Sequence, residues 1–175
     1  MTADAALSAP VLFYAAVLVL AAWGALMALR GDFWRAEQRL VEGEFQPDRW
    51  PTIAVVVPAR NEADVIEEAL LSISGQDYEG DIRVFLVDDR SDDETAHLAR
   101  RVPGVTVVSA SETPPGWTGK LWAVSQGLAA AEEAGVPAEY FWLTDADIAH
   151  HPGELASLVA GSEHSGLDLN SLMVR

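Results

Sequence analysis

The sequence predicts an α/β fold, in which an open and mainly parallel sheet has helices on both faces and is preceded by one transmembrane helix. From Pro51 onward, apolar runs rich in β-branched residues alternate with helical patterns, which indicates parallel strands joined by right-handed crossovers. Acidic pairs follow two of these runs, at Asp88-Asp89 and at Asp145-Ala-Asp147. Before Pro51, the stretch from Val11 to Leu29 contains no charged residue. These observations divide the chain into an anchor and an α/β domain.

The N-terminal apolar stretch is interpreted as a transmembrane anchor covering residues 1–30. As an α-helix, Val11 to Leu29 would be about 28 Å long, close to the hydrocarbon thickness of a bilayer. A cleaved signal peptide is the alternative, but the ten residues before Val11 include Asp4 and no Lys or Arg. Arg30, Arg35 and Arg39 follow the segment, so the positive-inside rule predicts a single pass through the cell (inner) membrane, with the rest of the chain in the cytoplasm.

Residues 31–50 are predicted to be a juxtamembrane connector. Trp34, Phe45 and Trp50 lie there among charged residues, which fits a segment near the lipid headgroups as well as it fits an ordinary linker. Residues 51–175 are assigned to the α/β domain.

The first half of this domain predicts two strands and two helices. The first strand is Thr52–Val57, and Asn61 is expected to cap the helix after it. The buried stripe of that helix consists of Val65, Ile66, Ala69, Leu70 and Ile73. The second strand is Ile82–Val87, and acidic residues from Ser91 to Glu94 are suited to the start of the second helix.

The second half continues the alternation of strands and helices. The third strand is Val105–Ser109, and the fourth is Tyr140–Thr144. Between them, Leu121, Val124, Leu128 and Ala131 form the apolar face of a helix. A short helix from Pro152 leads to a fifth predicted strand near Leu167–Val174.

The composition excludes several classes of function. The chain has 175 residues and no cysteine, so it has room for one domain with a core and uses neither disulfides nor cysteine metal ligands. Its formal net charge of -16 argues against nucleic acid as a partner, because phosphate backbones are bound by clustered Lys and Arg. Lys120 is the single lysine beside ten arginines, and arginine cannot replace a compact ammonium at every site.

The polar residues that follow the strands are expected to meet at one edge of the sheet, because parallel strands end at the same edge. Arg60-Asn61, Asp88-Asp89 and Asp145-Ala-Asp147 all occupy such positions. Asp147 is a candidate ligand of Mg²⁺ or Mn²⁺, Asp145 a candidate partner of a ribose hydroxyl, and Asp89 a candidate acceptor for a pyrimidine N–H. The alternative for each acidic pair is a solvated surface turn.

Two neighbouring features have open interpretations. His150 and His151 follow the carboxylates and are expected at the surface rather than on a metal. Trp117 can either stack on a ring of the ligand or anchor its loop against the sheet.

Two common nucleotide-binding motifs are absent from the sequence. No Gly-x-Gly-x-x-Gly follows the first strand, which argues against a nicotinamide or flavin dinucleotide. The segment Gly116-Trp-Thr-Gly-Lys120 has its glycines too close for a P-loop, and Leu121 stands where Ser or Thr must reach magnesium.

Four segments together resemble the family 2 glycosyltransferases of GT-A fold. They are Pro51–Glu62, Leu86–Thr95, Gly119-Lys120 and Leu143–Asp147. Gly116–Ala123 and Asp168–Arg175 extend the resemblance to the hopene-associated glycosyltransferases, which are linked to hopanoid biosynthesis.

The resemblance implies a nucleotide-diphosphate-sugar donor, a divalent cation (Mg²⁺ or Mn²⁺) and inversion at the anomeric carbon. It implies that Ala59 and Glu62 border the base, that Asp88 and Asp89 belong to the nucleotide site, and that Asp145-Ala-Asp147 is a DxD element. Lys120 would lie near the nucleotide or its diphosphate. A lipid acceptor, hopanoid-related, is suggested by the subgroup and by the anchor.

The resemblance also implies a general base for the acceptor hydroxyl, and we expect it beyond Arg175, so that residues 51–175 hold the donor half of an incomplete domain. Two other functions stay open. A haloacid-dehalogenase-like phosphatase would use Asp145 as its nucleophile, although three strands precede the motif and Ala149 occupies the usual Thr or Val position. A membrane-tethered module could bind nucleotide sugars without catalysis.

Overall fold

The structure, a computed structural model, describes residues 9–29 and 45–172. The chain divides into two compact units, one containing the N-terminal helix and the other the α/β domain. In the first unit, helix α1 spans Ala9–Leu29 and its side chains from Pro10 onward are exposed. The length and composition of α1 suffice to cross a bilayer, and a signal sequence would meet the same criteria.

The predicted connector is described only from Phe45 onward, and the interpretation of residues 31–44 lies outside the described residues. The Phe45 ring stacks on His164 with a centroid distance of 3.8 Å. Trp50 meets Tyr78 edge to face at 5.1 Å. The end of the connector therefore packs against the α/β domain.

The second unit is built on a four-stranded parallel sheet. Its strands are β1 (Ile53–Ala59), β2 (Ile82–Asp88), β3 (Val105–Ser109) and β4 (Tyr140–Leu143), in the order β3-β2-β1-β4. Its helices are α2 (Ile66–Ser74), α3 (Thr95–Ala99), α4 (Gly119–Glu133) and α5 (Glu154–Ser165). This architecture confirms the predicted α/β class.

Strands β1 and β2 are covered on both faces, which explains why they are almost continuously apolar, whereas β4 leaves Phe141 and Leu143 exposed. Ile53, Val55 and Val57 of β1 pack on one face with residues of α2, α3 and α5. Ala54 and Val56 point to the other face, where they pack with residues of α4. Because successive side chains of a strand point to opposite faces, β1 contributes to both cores.

Helix α4 packs unusually close to the sheet through a glycine. A Cβ added at Gly127 would overlap a methyl group of Val56 and lie 2.9 Å from Cγ2 of Val87. The helix therefore lies directly on β1 and β2, which sets the position of its N-terminal residues at the carboxyl edge of the sheet.

The strand order places a crevice at the carboxyl end of β1. The chain winds from β1 through β2 to β3 and then returns to add β4 on the other side of β1. At such a reversal the connections leave in opposite directions, and ligands of open α/β sheets bind in the resulting crevice. Ala59 at the end of β1 and the residues after Leu143 border it.

Four sequence-based expectations differ in detail from the structure. Residues 167–172 are not a strand, and Met173 and Val174 lie outside the described residues. Asn61 does not cap α2, because the helix begins at Ile66 after Val65 and has no side-chain cap. The α3 and α5 helices begin at Thr95 and Glu154, a few residues later than the acidic turn and the proline indicated.

Candidate functional site

A cleft of about 410 Å³ lies at the crevice where the sheet changes direction. Its walls come from the ends of β1 and β2, the first turn of α4 and the segment after β4. The lining residues are Pro58, Ala59, Arg60, Glu62, Asp89, Gly119, Lys120, Ala123, Asp145, Ala146 and Asp147. Six of the seven candidate residues chosen from sequence are among them, although they come from segments far apart in the chain.

The loops after β1 and β2 are tied together by hydrogen bonds between backbone and side chains. The backbone N–H of Asn61 donates to Oγ of Ser91 at 3.0 Å, and Oδ1 of Asn61 accepts from the N–H of Asp92 at 2.8 Å. The N–H of Ala63 donates to Oδ2 of Asp93 at 3.2 Å. The acidic turn after β2 thus satisfies the backbone of the neighbouring loop.

Thr95 completes this connection from the start of α3. Its side chain is fully buried, and its Oγ1 accepts from the backbone N–H of Glu62 at 2.8 Å. The Thr95 hydroxyl also hydrogen-bonds to Asp93 and is the main reason why the pKa of the Asp93 carboxyl lies below its ordinary value. Glu62 is therefore held at the cleft wall by its backbone, while its side chain stays partly exposed.

Asp89 is a buried carboxylate at the base of the cleft. It is only 6% exposed, and its backbone N–H donates to the carbonyl of Ala59 at 2.9 Å. Oδ1 lies 3.4 Å from Nε of Arg90, and Oδ2 lies 3.9 Å from a guanidinium nitrogen of Arg60. A Cβ added at Gly119 would lie 2.6 Å from Oδ2, so the carboxylate sits against the N-terminal end of α4. The helix dipole favours an anion at that position.

Asp88 does not line the cleft with the other candidates. Its side chain is buried, and its Oδ1 accepts a hydrogen bond from the backbone N–H of Ser91 at 3.2 Å. Asp88 and Asp89 point in different directions because neighbouring side chains at a strand end face opposite sides of the sheet. Asp88 shapes the loop that presents Asp89.

Lys120 and Asp145 form an ion pair across the cleft. Nζ of Lys120 lies 2.6 Å from Oδ1 of Asp145, and the two side chains are 63% and 46% exposed. Lys120 is in the first turn of α4, where the helix dipole opposes a positive charge. Thr118 caps the same helix by accepting from the N–H of Leu121 at 3.4 Å.

Asp147 is exposed at the opposite end of the short acidic element. Within the described residues its side chain has no hydrogen-bond or ion-pair partner, and no group of three or more His, Asp or Glu is placed to hold a metal ion. Asp145 and Asp147 can still supply two carboxylate oxygens, which are ligands that Mg²⁺ and Mn²⁺ accept alongside ligand phosphates and water.

The charges that line the cleft fit a divalent cation. Four carboxylates, those of Glu62, Asp89, Asp145 and Asp147, face only two cationic side chains, which belong to Arg60 and Lys120. An anionic diphosphate would be repelled by this net negative lining unless a cation entered with it. The donor set and its charge therefore suit a cation that carries a phosphorylated ligand.

The side chain of His150 is buried, so its predicted surface position is wrong. Its side chain is 5% exposed, with Nε2 at 2.8 Å from Oγ1 of Thr144 and Nδ1 at 3.0 Å from Oε1 of Glu154. Its backbone N–H donates to Oγ of Ser72 at 2.9 Å, and its ring meets Trp142 edge to face at 4.6 Å. These contacts fix the segment after β4, which carries the two carboxylates, to β4, α2 and α5.

Gln76 reinforces the same anchoring from the end of α2. Its buried amide donates to the carbonyls of Ser72 and His151 and accepts from the backbone N–H of Leu155 at 2.9 Å. The sequence held a weak signal for this contact, since a Gln just after the C-terminal glycine of a helix is free to bond to a distant backbone. Gln76 was missed because no local pattern identifies its distant partners.

Trp117 lies in the loop before α4 and is 49% exposed. Its ring meets Trp122 edge to face at 5.3 Å, which partly anchors the loop, and it is not among the residues that line the cleft. Gly119 was also missed as a site residue, although a glycine at the first position of a helix is a signal for close approach of another group.

Comparison with known proteins assigns the chain to a family. The pattern described as Glycosyl transferase family 2 matches residues 54–173. The structure is similar to a mannosyltransferase from Pyrobaculum calidifontis in complex with GDP-Man and Mn²⁺, with a TM-score of 0.60, 30% identity and coverage of 85% of this chain and 43% of that one. It is also similar to the glucosyl-3-phosphoglycerate synthase of Mycobacterium tuberculosis, with a TM-score of 0.50, 32% identity and coverage of 64% and 40%.

A sequence relative gives the same classification. A segment of 43 residues is 44% identical to an N-acetylglucosaminyltransferase of Mesorhizobium japonicum, covering 24% of this chain and 10% of that protein. The chain thus spans less than half the length of each of these three proteins. The family pattern, by contrast, extends over most of the chain and includes every strand of the sheet except the first residue of β1. The chain belongs to glycosyl transferase family 2.

Proposed function

We propose that this chain binds the donor of a glycosyltransferase that transfers a sugar from a nucleotide-diphosphate-sugar to an acceptor with inversion. The observation that carries the proposal is the single cleft lined by Asp89, Lys120, Asp145 and Asp147 at the reversal of the sheet. The similar mannosyltransferase from Pyrobaculum calidifontis was solved with GDP-Man and Mn²⁺, which supports the same class of donor here.

The nucleotide is assigned to the side of the cleft formed by β1 and β2. Ala59 and Glu62 border the base, and the carboxylate of Asp89 accepts a hydrogen bond from a base N–H. Asp88 contributes by holding the loop that carries Asp89, since its Oδ1 accepts from the Ser91 backbone. The burial of Asp89 supports this role, because a hydrogen bond to a desolvated carboxylate discriminates strongly between ligands.

The diphosphate is assigned to the side formed by α4 and the segment after β4. Asp145 and Asp147 would hold Mg²⁺ or Mn²⁺, and Asp145 also lies where it can meet a ribose hydroxyl. Such a cation stabilises the negative charge that develops on the departing nucleoside diphosphate. Lys120 supplies a second positive charge for the diphosphate.

The domain organisation proposed from sequence accompanies this function. Residues 1–30 anchor the protein in the cell membrane, and residues 31–50 connect this anchor to the transferase domain. Residues 51–175 form the donor-binding half of that domain in the cytoplasm. The apolar composition of α1 and the arginines at positions 30, 35 and 39 support this arrangement. An enzyme held at the bilayer fits a lipid acceptor and membership of the hopene-associated subgroup. The general base for the acceptor hydroxyl is expected outside the cleft described above.

The family assignment favours sugar transfer over the phosphatase alternative. A phosphatase nucleophile at Asp145 would have to be free to attack phosphorus, whereas Oδ1 of Asp145 is paired with Lys120. The motif also follows the last strand to enter the sheet rather than the first.

Isothermal titration calorimetry of the full chain with UDP and GDP, with and without Mn²⁺, tests the proposal. We expect nucleotide binding that depends on Mn²⁺ and is weakened at least tenfold by Asp147→Ala. Glu68→Ala, which removes an exposed carboxylate from the first turn of α2, is the matched control and should bind as the unsubstituted chain does. Absence of binding to both nucleotides would refute the proposal.

A further inference from the structure

The ion pair between Lys120 and Asp145 occupies one of the two carboxylates that we assign to the cation. Nζ of Lys120 lies 2.6 Å from Oδ1 of Asp145, a full hydrogen-bond contact between charged groups. Asp147 has no such partner within the described residues. The two carboxylates are therefore unequal before any ligand enters, because one is already neutralised by the protein.

This ion pair contributes little to the stability of the fold. Both side chains are about half exposed or more, at 63% for Lys120 and 46% for Asp145, and exposed pairs of this kind contribute little because solvent screens the charges and ordering two side chains costs entropy. The position of Lys120 in the first turn of α4 adds a small unfavourable interaction with the helix dipole. The ammonium can therefore leave the carboxylate at low cost.

The other cationic side chain of the cleft is arranged differently. Arg60 lies 3.9 Å from Oδ2 of Asp89, which is beyond hydrogen-bond distance, and Asp89 is also contacted by Arg90 at 3.4 Å. Among the ion pairs described at the cleft, only the one formed by Lys120 joins an exposed ammonium to a proposed cation ligand.

We propose that Lys120 is a resident counter-ion that competes with the divalent cation for Asp145 and makes cation binding depend on the nucleotide diphosphate. This inference rests on the proposed function and concerns the order of binding at the same site. A cation on Asp145 and the ammonium of Lys120 repel each other when both lie at one carboxylate. A diphosphate supplies oxygens that accept the ammonium, so Lys120 can move from Asp145 to the ligand as the cation takes its place.

The competition has a thermodynamic signature in the coupling between the two ligands. Nucleotide diphosphate should strengthen cation binding, and by linkage the cation should strengthen nucleotide binding by the same factor. Without the ammonium, the cation should bind more tightly alone, and the nucleotide should lose a positively charged partner. Both changes reduce the coupling between cation binding and nucleotide binding when the Lys120 ammonium is removed.

Electron paramagnetic resonance titration of free Mn²⁺ into the full chain, with and without UDP or GDP, tests the inference. Lys120→Met retains the length of the side chain and removes its charge, and Lys120→Arg retains the charge. In the absence of nucleotide we expect Lys120→Met to bind Mn²⁺ about two- to fivefold more tightly than the unsubstituted chain, as the small free energy of an exposed ion pair implies, and Lys120→Arg to bind it with nearly unchanged affinity. Asp147→Ala should weaken Mn²⁺ binding both in the unsubstituted chain and in the chain that carries Lys120→Met.

The outcomes separate this inference from the proposed function. If the unsubstituted chain binds Mn²⁺ together with a nucleotide but Lys120→Met binds Mn²⁺ alone with equal or lower affinity, the competition is refuted and the proposed function stands. If the unsubstituted chain binds neither Mn²⁺ nor UDP nor GDP, both proposals are refuted. Circular dichroism of Lys120→Met should match that of the unsubstituted chain, because the exposed side chain carries little of the folding free energy.

Discussion

Substitution of Gly119 by alanine is the sharpest probe of the nucleotide side of the cleft. The added Cβ would lie 2.6 Å from Oδ2 of Asp89, whereas ordinary contacts of a Cβ begin near 3.4 Å. Asp89 must therefore retreat by about 0.8 Å. Because it is only 6% exposed, it cannot turn into solvent, and its carboxylate must rotate within the wall of the cleft.

The expected cost of Gly119→Ala follows from the hydrogen bond that the displaced carboxylate would lose. A hydrogen bond to a charged group contributes about 1.5–3 kcal/mol, so nucleotide affinity should fall about 10- to 150-fold. The assay is calorimetric titration of the full chain with UDP and GDP in the presence of Mn²⁺, accompanied by thermal unfolding of each variant.

The matched control for this substitution is Gly161→Ala in α5. A Cβ at Gly161 has no heavy atom within 4 Å, so the change should leave nucleotide affinity unaltered and stabilise the helix by up to about 1 kcal/mol. If Gly119→Ala binds nucleotide as tightly as Gly161→Ala does, Asp89 does not contact the base and the assignment of this wall is wrong.

Three further predictions concern the scaffold around the cleft. Gly127→Ala should lower the free energy of unfolding by about 1–3 kcal/mol in a urea titration, since its Cβ would overlap Val56 and overpack the core; an unchanged midpoint would show that α4 lies farther from the sheet. The ion pair with Arg49 lowers the pKa of Glu139 to about 2, so the unfolding free energy should fall as the pH drops from about 4.5 to 2, and Glu139→Gln should show less of this loss over the same range. His150→Leu should destabilise the chain by about 2–3 kcal/mol and weaken Mn²⁺-dependent nucleotide binding, because it removes the buried contacts of the imidazole. Unfolding temperature and calorimetric nucleotide affinity are the two measurements, and the prediction is wrong if neither changes.

The four strands could be predicted because each is a short run rich in apolar and β-branched residues, although only β1 and β2 are buried on both faces. Ile53–Ala59 and Ile82–Asp88 differ from the predicted bounds by only one or two residues at their ends. The expected strand near Leu167 shares an apolar pattern, but a strand also requires a hydrogen-bonded neighbour. Residues 167–172 have no such pairing in the described part of the chain, and a periodic pattern cannot reveal that.

The position of the site could likewise be predicted from topology, because the ends of parallel strands meet at one edge. The orientation of individual side chains could not. Asp88 and Asp89 are adjacent in sequence, yet one bonds to its own loop and the other lines the cleft. His150 was expected at the surface because a histidine in a polar segment carries no local sign of burial, and its partners Thr144 and Glu154 become visible only once the segment is folded.

The pairing of Lys120 with Asp145 is a property of the fold rather than of either segment. The two residues are 25 positions apart, and they meet because α4 lies close to β1 and the chain then returns through β4. The sequence singled out Lys120 as the one lysine, but its partner depends on the depth at which Gly127 lets α4 pack.

The most direct test of the donor site is a crystal structure of the full chain grown with Mn²⁺ and UDP or GDP, with data collected at an energy where manganese scatters anomalously. The proposal predicts one anomalous peak within coordination distance of carboxylate oxygens of Asp145 or Asp147, with the diphosphate on the same ion and the base beside Asp89. A nucleotide bound in this cleft with the manganese peak elsewhere would contradict the cation assignment. A nucleotide bound away from the carboxyl ends of β1 and β4 would contradict the site itself.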